Sequence, residues 1–243
     1  MHVFTKLLIA VLVASQACVG ADAFVRPREG EADLAVLLHT EAGPLATAQN
    51  LRTVQNNTII SPELPRADLT FSPAFRYIGG QQVNLYGMAD AEQHLFVKGN
   101  HNGVIDAFYW VQFEHRVPGD QHTYNYQLGH TTDIGGLSFV YDVKAWPDYA
   151  TMQNEDPNSD SAAITRLLTK SNLKFPSRTA RVRMFHLPTP DHRTELMIIY
   201  GEALPEDSKV PLRKEGTDVT QESPALAQKL LEDLKSQLTI QKK

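Results

Sequence analysis

The chain has 243 residues, of which 42% are hydrophobic and 21% are charged, and its formal net charge at pH 7 is −5. This length is sufficient for one domain with a sizeable core. The mild acidity argues against the basic surface that a nucleic-acid-binding protein requires, so no nucleic-acid partner is expected. The single cysteine, Cys18, excludes a scaffold of disulfide bonds.

Residues 1–23 have the three parts of a secretory signal peptide. Lys6 is the first charged side chain, residues 7–14 are all apolar, and small residues follow as far as Ala23. The apolar run is about half as long as the roughly 20 residues that cross a bilayer as a helix. The sequence therefore predicts export to the periplasm or the extracellular space, with Cys18 removed together with the leader.

Cys18 also permits an alternative location. A cysteine at a bacterial signal-cleavage site can carry a lipid anchor, which would hold the chain at a membrane. Lipoprotein signals usually have leucine three residues before this cysteine, whereas Ser15 stands there in this chain. A membrane-anchored lipoprotein is therefore the alternative, and contact with a membrane is expected only if Cys18 is lipidated.

Residues 24–73 lack a clear helical or strand periodicity. Pro62, Pro65 and Pro73 interrupt the second half of this stretch, and proline breaks both helices and the ladders of central strands. We therefore predict a weakly structured N-terminal extension over residues 24–73, followed by a single domain over residues 74–243.

This domain is predicted to be α+β, with a mainly antiparallel sheet of about six strands. Residues 104–117 form the longest run of strand-favouring residues, and residues 122–128 alternate tyrosines with polar residues. Residues 180–187 and 195–202 flank a proline-containing turn, which predicts a hairpin.

Two helices are predicted. Apolar side chains recur at helical spacing in residues 159–172, and Ser159 is a suitable N-cap. The second helix begins at Pro224, because proline favours the first helical position. Its apolar stripe consists of Leu226, Leu230, Leu234 and Leu238. Such a stripe typically packs against the core of its own domain.

The longest predicted strand carries the best candidate site. Strand alternation places Trp110, Gln112 and Glu114 on one face. Two interpretations fit this face: an amphipathic strand whose polar side chains are in solvent, or the wall of a pocket with a few convergent polar groups. Tyr124 and Tyr126 share a face of the predicted strand over 122–128. These five residues are our candidate ligand-binding residues.

An acid–base pair is the main catalytic candidate. Glu114 could act together with His94, His115 or His122 if the fold brings a histidine within hydrogen-bonding distance. The three histidines belong to separate predicted strands, so their proximity depends on tertiary structure. The sequence contains neither a His-x-His pair nor a His-Glu-x-x-His motif, and no metal or other cofactor is expected.

Nucleophile elbows, phosphate-binding loops and dinucleotide fingerprints are absent from the sequence. We therefore expect an exported domain that binds a small apolar ligand or a protein partner. One alternative is a secreted or periplasmic enzyme, a hydrolase or isomerase, that uses a Glu/His pair. A further alternative is an envelope-associated structural protein that docks through the leucine stripe of its C-terminal helix.

Overall fold

The computed structural model describes residues 52–99 and 101–243. The signal peptide predicted for residues 1–23, including Cys18, and the first part of the predicted extension lie outside the described residues. Within the described ranges, no helix combines the length and the hydropathy that a membrane-spanning helix needs.

Strands dominate the described chain. They are β1 (Thr53–Gln55), β2 (Thr58–Ser61), β3 (Ala67–Phe71), β4 (Arg76–Leu85), β5 (Ala89–Lys98), β6 (Ala107–Arg116), β7 (His130–Ile134), β8 (Leu137–Trp146), β9 (Thr179–His186), β10 (Thr194–Ala203), β11 (Thr217–Asp218) and β12 (Leu238–Lys242). The helices are α1 (Tyr149–Met152), α2 (Asp160–Lys170), α3 (Val219–Glu222) and α4 (Pro224–Gln237).

These strands form two antiparallel sheets. The larger sheet has eight strands in the order β11-β8-β9-β10-β6-β5-β4, with β7 also paired to β8. The smaller sheet has four strands in the order β1-β2-β3-β12. The predicted antiparallel architecture with few helices is therefore confirmed, but the predicted number of about six strands is wrong.

The smaller sheet accounts for most of the missing strands. Residues 53–71 form β1, β2 and β3 rather than a weakly structured extension, because their prolines fall between strands and do not interrupt a ladder. The chain also continues beyond its last helix into β12, which pairs with β3 from Leu238 to Lys242. No boundary between an extension and a domain therefore falls at residue 73.

Residues 122–128, predicted to be a strand, do not form one. Their backbone lacks a neighbouring strand to pair with, and Tyr124 instead donates its backbone N–H to the His192 carbonyl at 2.8 Å. The alternation of tyrosines with polar residues arises because the tyrosines turn inward from an extended loop.

The side chains of β6 alternate between two apolar layers, as its sequence predicts. Tyr109, Val111 and Phe113 lie in the larger cluster. Phe108 and Trp110 lie in a second cluster on the opposite face. Helix α2 contributes to the second cluster and packs on β4 and β5, which covers the face that carries the candidate site.

Helix α4 packs its leucine stripe against the larger cluster. Leu230 and Leu234 are buried, and Leu226 is partly buried. The Tyr109 hydroxyl donates a hydrogen bond to the Leu234 carbonyl at 2.7 Å, which ties the helix to β6. Leu238, the last leucine of the stripe, belongs to β12. The stripe is part of the core, so it does not provide the docking surface that a structural role was expected to use.

Two adjacent glycines in the β7–β8 turn allow a test of how closely β12 packs against this turn. Gly135 and Gly136 both have positive φ, at 58° and 79°. A Cβ on Gly135 would lie 1.9 Å from the Ile240 carbonyl oxygen, whereas a Cβ on Gly136 would meet nothing within 4 Å. We expect Gly136→Ala to cost about 1 kcal/mol, the penalty of the left-handed conformation. Gly135→Ala should cost about 1–3 kcal/mol more, because β12 must move.

The measurement is the free energy of unfolding of each variant in urea. Equal losses in the two variants would show that β12 does not approach the turn as closely as described.

Candidate functional site

Two glutamates face each other on neighbouring central strands. In the β6–β10 ladder Glu114 pairs with Glu195, Gln112 pairs with Met197, and Trp110 pairs with Ile199. Directly opposite residues of an antiparallel pair project to the same face, with Cβ atoms about 4.5–5.5 Å apart. We call Glu114 and Glu195 the carboxyl pair.

The carboxyl pair is buried. Glu114 is 5% exposed and Glu195 is 3% exposed. The interpretation that placed Gln112 and Glu114 in solvent is therefore wrong, because α2 and residues 117–129 cover this face of the sheet. We call residues 117–129, which form neither helix nor strand, the covering segment.

Two tyrosines of the covering segment point at the carboxyl pair. The Tyr124 hydroxyl donates to Glu114 Oε1 at 2.6 Å, and the Tyr126 hydroxyl donates to Glu195 Oε2. The Tyr126 ring stacks on Phe185 with ring centroids 3.7 Å apart and an angle of 10° between planes. Each glutamate is thus held by its own tyrosine.

A chain of glutamine amides approaches Glu114 from the other side. Gln81 donates to Gln93 at 2.7 Å, Gln93 donates to Gln112 at 2.9 Å, and Gln112 donates to Glu114 Oε2 at 2.7 Å. Every amide in the chain directs its N–H group towards the carboxylate. Because hydrogen bonds in series polarise one another, this direction favours negative charge on Glu114.

The five candidate ligand-binding residues therefore share one face. Gln112, Glu114 and Tyr124 are joined directly by hydrogen bonds, and Tyr126 reaches the carboxyl pair through Glu195. Trp110 is 1% exposed, and its indole N–H has no hydrogen-bond partner among the described residues. A buried donor without a partner costs free energy, and such groups occur where a ligand or water binds.

Burial shifts the pKa values of all three nearby acids upward. Burial and the neighbouring charge of Asp160 raise the pKa of Glu114 to about 7, against the lowering effect of the Tyr124 hydrogen bond. Burial and the charge of Glu114 raise the pKa of Glu195 well above its usual value. Burial also raises the pKa of Asp160. Since like charges on neighbouring carboxyl groups repel, ionisation of one glutamate disfavours ionisation of the other.

The basic residues on this face are engaged elsewhere. Arg183 forms an ion pair of 2.6 Å with Asp142, and Arg116 lies 3.4 Å from Asp120. Among the described residues, neither member of the carboxyl pair lies within 4.0 Å of a basic group. The charge of Arg116 lowers the pKa of both glutamates to some extent without forming an ion pair with either, so the carboxyl pair is a buried acidic centre that is only partly compensated.

The structure does not bring Glu114 together with a histidine. His94 pairs with Val111 in the β5–β6 ladder, an odd number of residues from Glu114, and therefore lies on the opposite face. His115 is partly exposed and 3.8 Å from Asp90. His122 is exposed and 2.5 Å from Asp120. The hydrogen bonds of Glu114 go to a tyrosine and a glutamine instead.

Hydrogen bonds from Arg193 hold the N-terminal part of the covering segment. The Arg193 guanidinium donates to the carbonyl groups of Val117 at 3.0 Å and Asp120 at 2.6 Å. Gly119 and Gly129 have positive φ, at 96° and 74°, and no atom would meet a Cβ there within 4 Å. The backbone N–H groups of Val117 and Tyr124 also donate to the carbonyls of Met88 and His192. The glycines of the segment tolerate a change of backbone angle.

Sequence reasoning overlooked two members of the site, Glu195 and Asp160. The signal for Glu195 was present: an acid at the beginning of an otherwise apolar strand, at a position that shares its face with Met197 and Ile199. Asp160 resembled an ordinary residue of the first turn of a helix. Nothing in its local sequence indicates that α2 places it above two glutamates.

The described residues contain no group of three or more histidine, cysteine or acidic side chains that could hold a metal ion.

Comparison with known proteins gave no match: no family model matches the chain, and neither the curated proteins nor the solved structures include a similar one. What the site does has to be inferred from its own residues.

Proposed function

We propose that the protein binds a small molecule that carries a basic amine on an apolar body, and that the amine binds at the carboxyl pair. The observation that carries this proposal is the placement of Glu114 opposite Glu195 in a buried ladder, where among the described residues no basic group forms an ion pair with either glutamate. Like charges directly opposite each other destabilise a sheet, and a buried charge without a partner costs several kcal/mol. Structural stability alone does not require this arrangement.

An ammonium group would relieve the repulsion. Its N–H donors can replace the tyrosine hydroxyls on both carboxylates, and its charge favours ionisation of the second carboxyl group. An apolar body fits the surroundings, because Trp110, Tyr126 and Phe185 lie on the same face. Aromatic rings also attract cations through their electron-rich faces.

Binding requires the covering segment to move. Tyr124 and Tyr126 close over the carboxyl pair in the ligand-free protein, and the segment has no strand or helix to break when it opens. Opening breaks the two tyrosine–carboxylate hydrogen bonds and the stacking of Tyr126 on Phe185. It also breaks the backbone hydrogen bond from Tyr124 to His192, and contacts with the ligand have to offset these losses. An exported location for this binding function is proposed from residues 1–23 alone.

An acid–base enzyme is the second candidate. A carboxyl group with a pKa of about 7 is present in both its acid and its base form at neutral pH, which is the property that general acid–base catalysis needs. Glu114 and Glu195 would then perform the roles that the sequence assigned to a glutamate and a histidine, in a hydrolase or an isomerase. Release of product from an amine substrate would distinguish this candidate from simple binding.

Thermal unfolding and titration calorimetry with simple amines test the proposal. The ligands are hexylamine, benzylamine and tetramethylammonium, with hexanol, benzyl alcohol and hexanoate as controls of similar size. At pH 8 the amines are expected to raise the Tm in a concentration-dependent manner, and the neutral and acidic controls are not.

Two glutamate variants complete the test. Glu195→Gln should bind the amines at least about 10-fold more weakly, since one carboxylate and its charge are lost. Glu202→Gln is the matched control, because Glu202 also lies on β10 and accepts a tyrosine hydroxyl but is partly exposed. The proposal fails if no amine binds at millimolar concentration, if the alcohols bind equally well, or if both variants lose binding alike.

A further inference from the structure

A second chain of hydrogen-bonded groups lies on the opposite face of the larger sheet. The Tyr77 hydroxyl is 3.0 Å from His94 Nδ1, and His94 Nε2 is 2.7 Å from Glu92 Oε1. Arg52 completes the chain, with its backbone N–H 2.5 Å from Glu92 Oε1 and its guanidinium 2.6 Å from Oε2. These four residues lie apart from the carboxyl pair.

The order of the groups determines which histidine nitrogen carries the proton. Burial acts to raise the pKa of Glu92, but the His94 hydrogen bond and the charge of Arg52 outweigh it, and the pKa is lowered. An ionised carboxylate can only accept hydrogen bonds, so His94 Nε2 carries the hydrogen that it donates to Glu92. A ring that carries its hydrogen on Nε2 can accept at Nδ1, and the 3.0 Å contact fits a hydrogen bond that the Tyr77 hydroxyl donates.

Tyr77, His94 and Glu92 follow one another in the same order as the nucleophile, the base and the orienting carboxylate of a catalytic triad. We propose that Tyr77 is the nucleophile of a second site on this protein, which accepts an acyl group from an activated ester. His94 is the base that receives the phenolic proton, and Glu92 is a positioning residue that acts through His94. The proposal is independent of the amine-binding function.

The reaction balances with an aryl ester as the acyl donor. The Tyr77 oxygen attacks the ester carbonyl carbon while its proton passes to His94 Nδ1, and the tetrahedral intermediate then expels the aryl oxide. The imidazolium returns its proton to the aryl oxide, which leaves as a phenol. The products are an acylated Tyr77 and the free phenol, and no oxidant or reductant takes part.

Tyr77 is partly exposed and belongs to β4, the strand at the edge of the larger sheet. A Cβ at Gly80 would lie 2.8 Å from the Tyr77 hydroxyl and 2.9 Å from His94 Nδ1, so the absence of a side chain at this position lets the tyrosine and the histidine make contact. Burial and the charge of Glu92 raise the pKa of Tyr77 to about 12. The hydroxyl is therefore protonated at neutral pH, and its reaction depends on His94.

The experiment exposes the full chain to p-nitrophenyl acetate at pH 7.5 and follows acetylation of individual tyrosines by peptide mass spectrometry. Tyr141 is the internal reference, because it is also partly buried and packs against a histidine, His130, with ring centroids 5.4 Å apart. We expect Tyr77 to be acetylated about 10²-fold faster than Tyr141, the lower end of the usual contribution of general base catalysis.

Three variants test whether the contact with His94 causes the fast acetylation of Tyr77. Tyr77→Phe should lose the fast adduct, and His94→Gln should reduce the rate at Tyr77 to that of Tyr141. Gly80→Ala should do the same without altering any member of the chain, since its methyl group would separate Tyr77 from His94. The proposal is overturned if Tyr77 in the unmodified protein reacts no faster than Tyr141, or if a folded His94→Gln variant retains the fast rate.

Discussion

Glu114→Gln is expected to stabilise the ligand-free protein at pH 8 by up to about 3 kcal/mol, since each pKa unit is worth about 1.4 kcal/mol and the pKa of Glu114 rises from 4.5 to about 7 on folding. Most single substitutions destabilise a protein, so a gain of this size would be unusual. The physical reason is that the substitution removes a charge that the folded state holds next to Glu195, out of water.

The hydrogen bonds of the site survive this substitution only in part. Gln112 and Tyr124 both donate to Glu114, and a glutamine side chain offers one acceptor oxygen where the carboxylate offers two. A donor without an acceptor costs about 1–3 kcal/mol, which reduces the net gain.

The sign of the pH dependence follows from linkage. Between pH 4.5 and pH 7 the folded protein retains a proton on Glu114 that the unfolded chain has released. Stability therefore falls as the pH rises through this interval. Urea unfolding at pH 5 and pH 8 should show this fall in the unmodified protein and a smaller one in Glu114→Gln.

Glu202→Gln is again the control. Glu202 is partly exposed, and Lys229 lies 3.5 Å from it, so its replacement should not stabilise the protein at pH 8. If Glu114→Gln is less stable than the unmodified protein at both pH values, the carboxyl pair is compensated within the fold, and the main argument for an amine ligand is lost.

Arg183→Met is expected to destabilise the protein by about 3–5 kcal/mol at pH 7, the usual cost of removing one partner of a buried ion pair. Arg183 and Asp142 face each other directly in the β8–β9 ladder, and their side chains are only 11% and 14% exposed. Without Arg183, the charge of Asp142 remains inside the fold.

The pH dependence of this variant has the opposite sign to that of the glutamate. Burial acts to raise the pKa of Asp142, but the charges of Arg183 and Arg181 outweigh it, and the pKa is lowered. The ion pair therefore stabilises the protein above the unfolded pKa of Asp, about 3.9, and this contribution is lost as the pH falls through the folded value. The cost of Arg183→Met should shrink when unfolding is measured near pH 3.

Two further variants distinguish the effect of breaking this buried ion pair from the effect of breaking an exposed one. The double variant Arg183→Met/Asp142→Asn should recover at least half of the loss, because no charge then remains without a partner. Arg213→Met breaks an exposed pair with Glu222 and should cost less than about 1 kcal/mol. A double variant as unstable as the single one would show that packing of the Arg183 stem, not its charge, stabilises this region.

Several elements could be predicted because their signals are local. The run over 104–117 contains β6, and the run over 159–172 contains α2. The second predicted helix begins at Pro224 as expected and ends one residue before Leu238. Side-chain periodicity follows directly from backbone geometry, so a single segment is sufficient to recognise a long strand or an amphipathic helix.

Other elements depend on partners that the local sequence does not reveal. Strands β1–β3 are short, and they are strands because β12 pairs with β3 at the edge of the smaller sheet. Residues 122–128 have strand-like alternation but lack a neighbouring strand, so they form a loop. Short segments gain their conformation from long-range pairing, whose register local periodicity does not specify.

The candidate site also has some features that are predictable from local sequence and others that depend on long-range pairing. The sequence by itself determined that Trp110, Gln112 and Glu114 share a face of one strand, because alternation is a property of the strand backbone. Only the tertiary structure decided that this face is buried, that Glu195 stands opposite Glu114, and that His94 serves another chain of groups on the other face. These features depend on which strands pair and in which register, and that choice minimises the free energy of the whole chain rather than of any one segment.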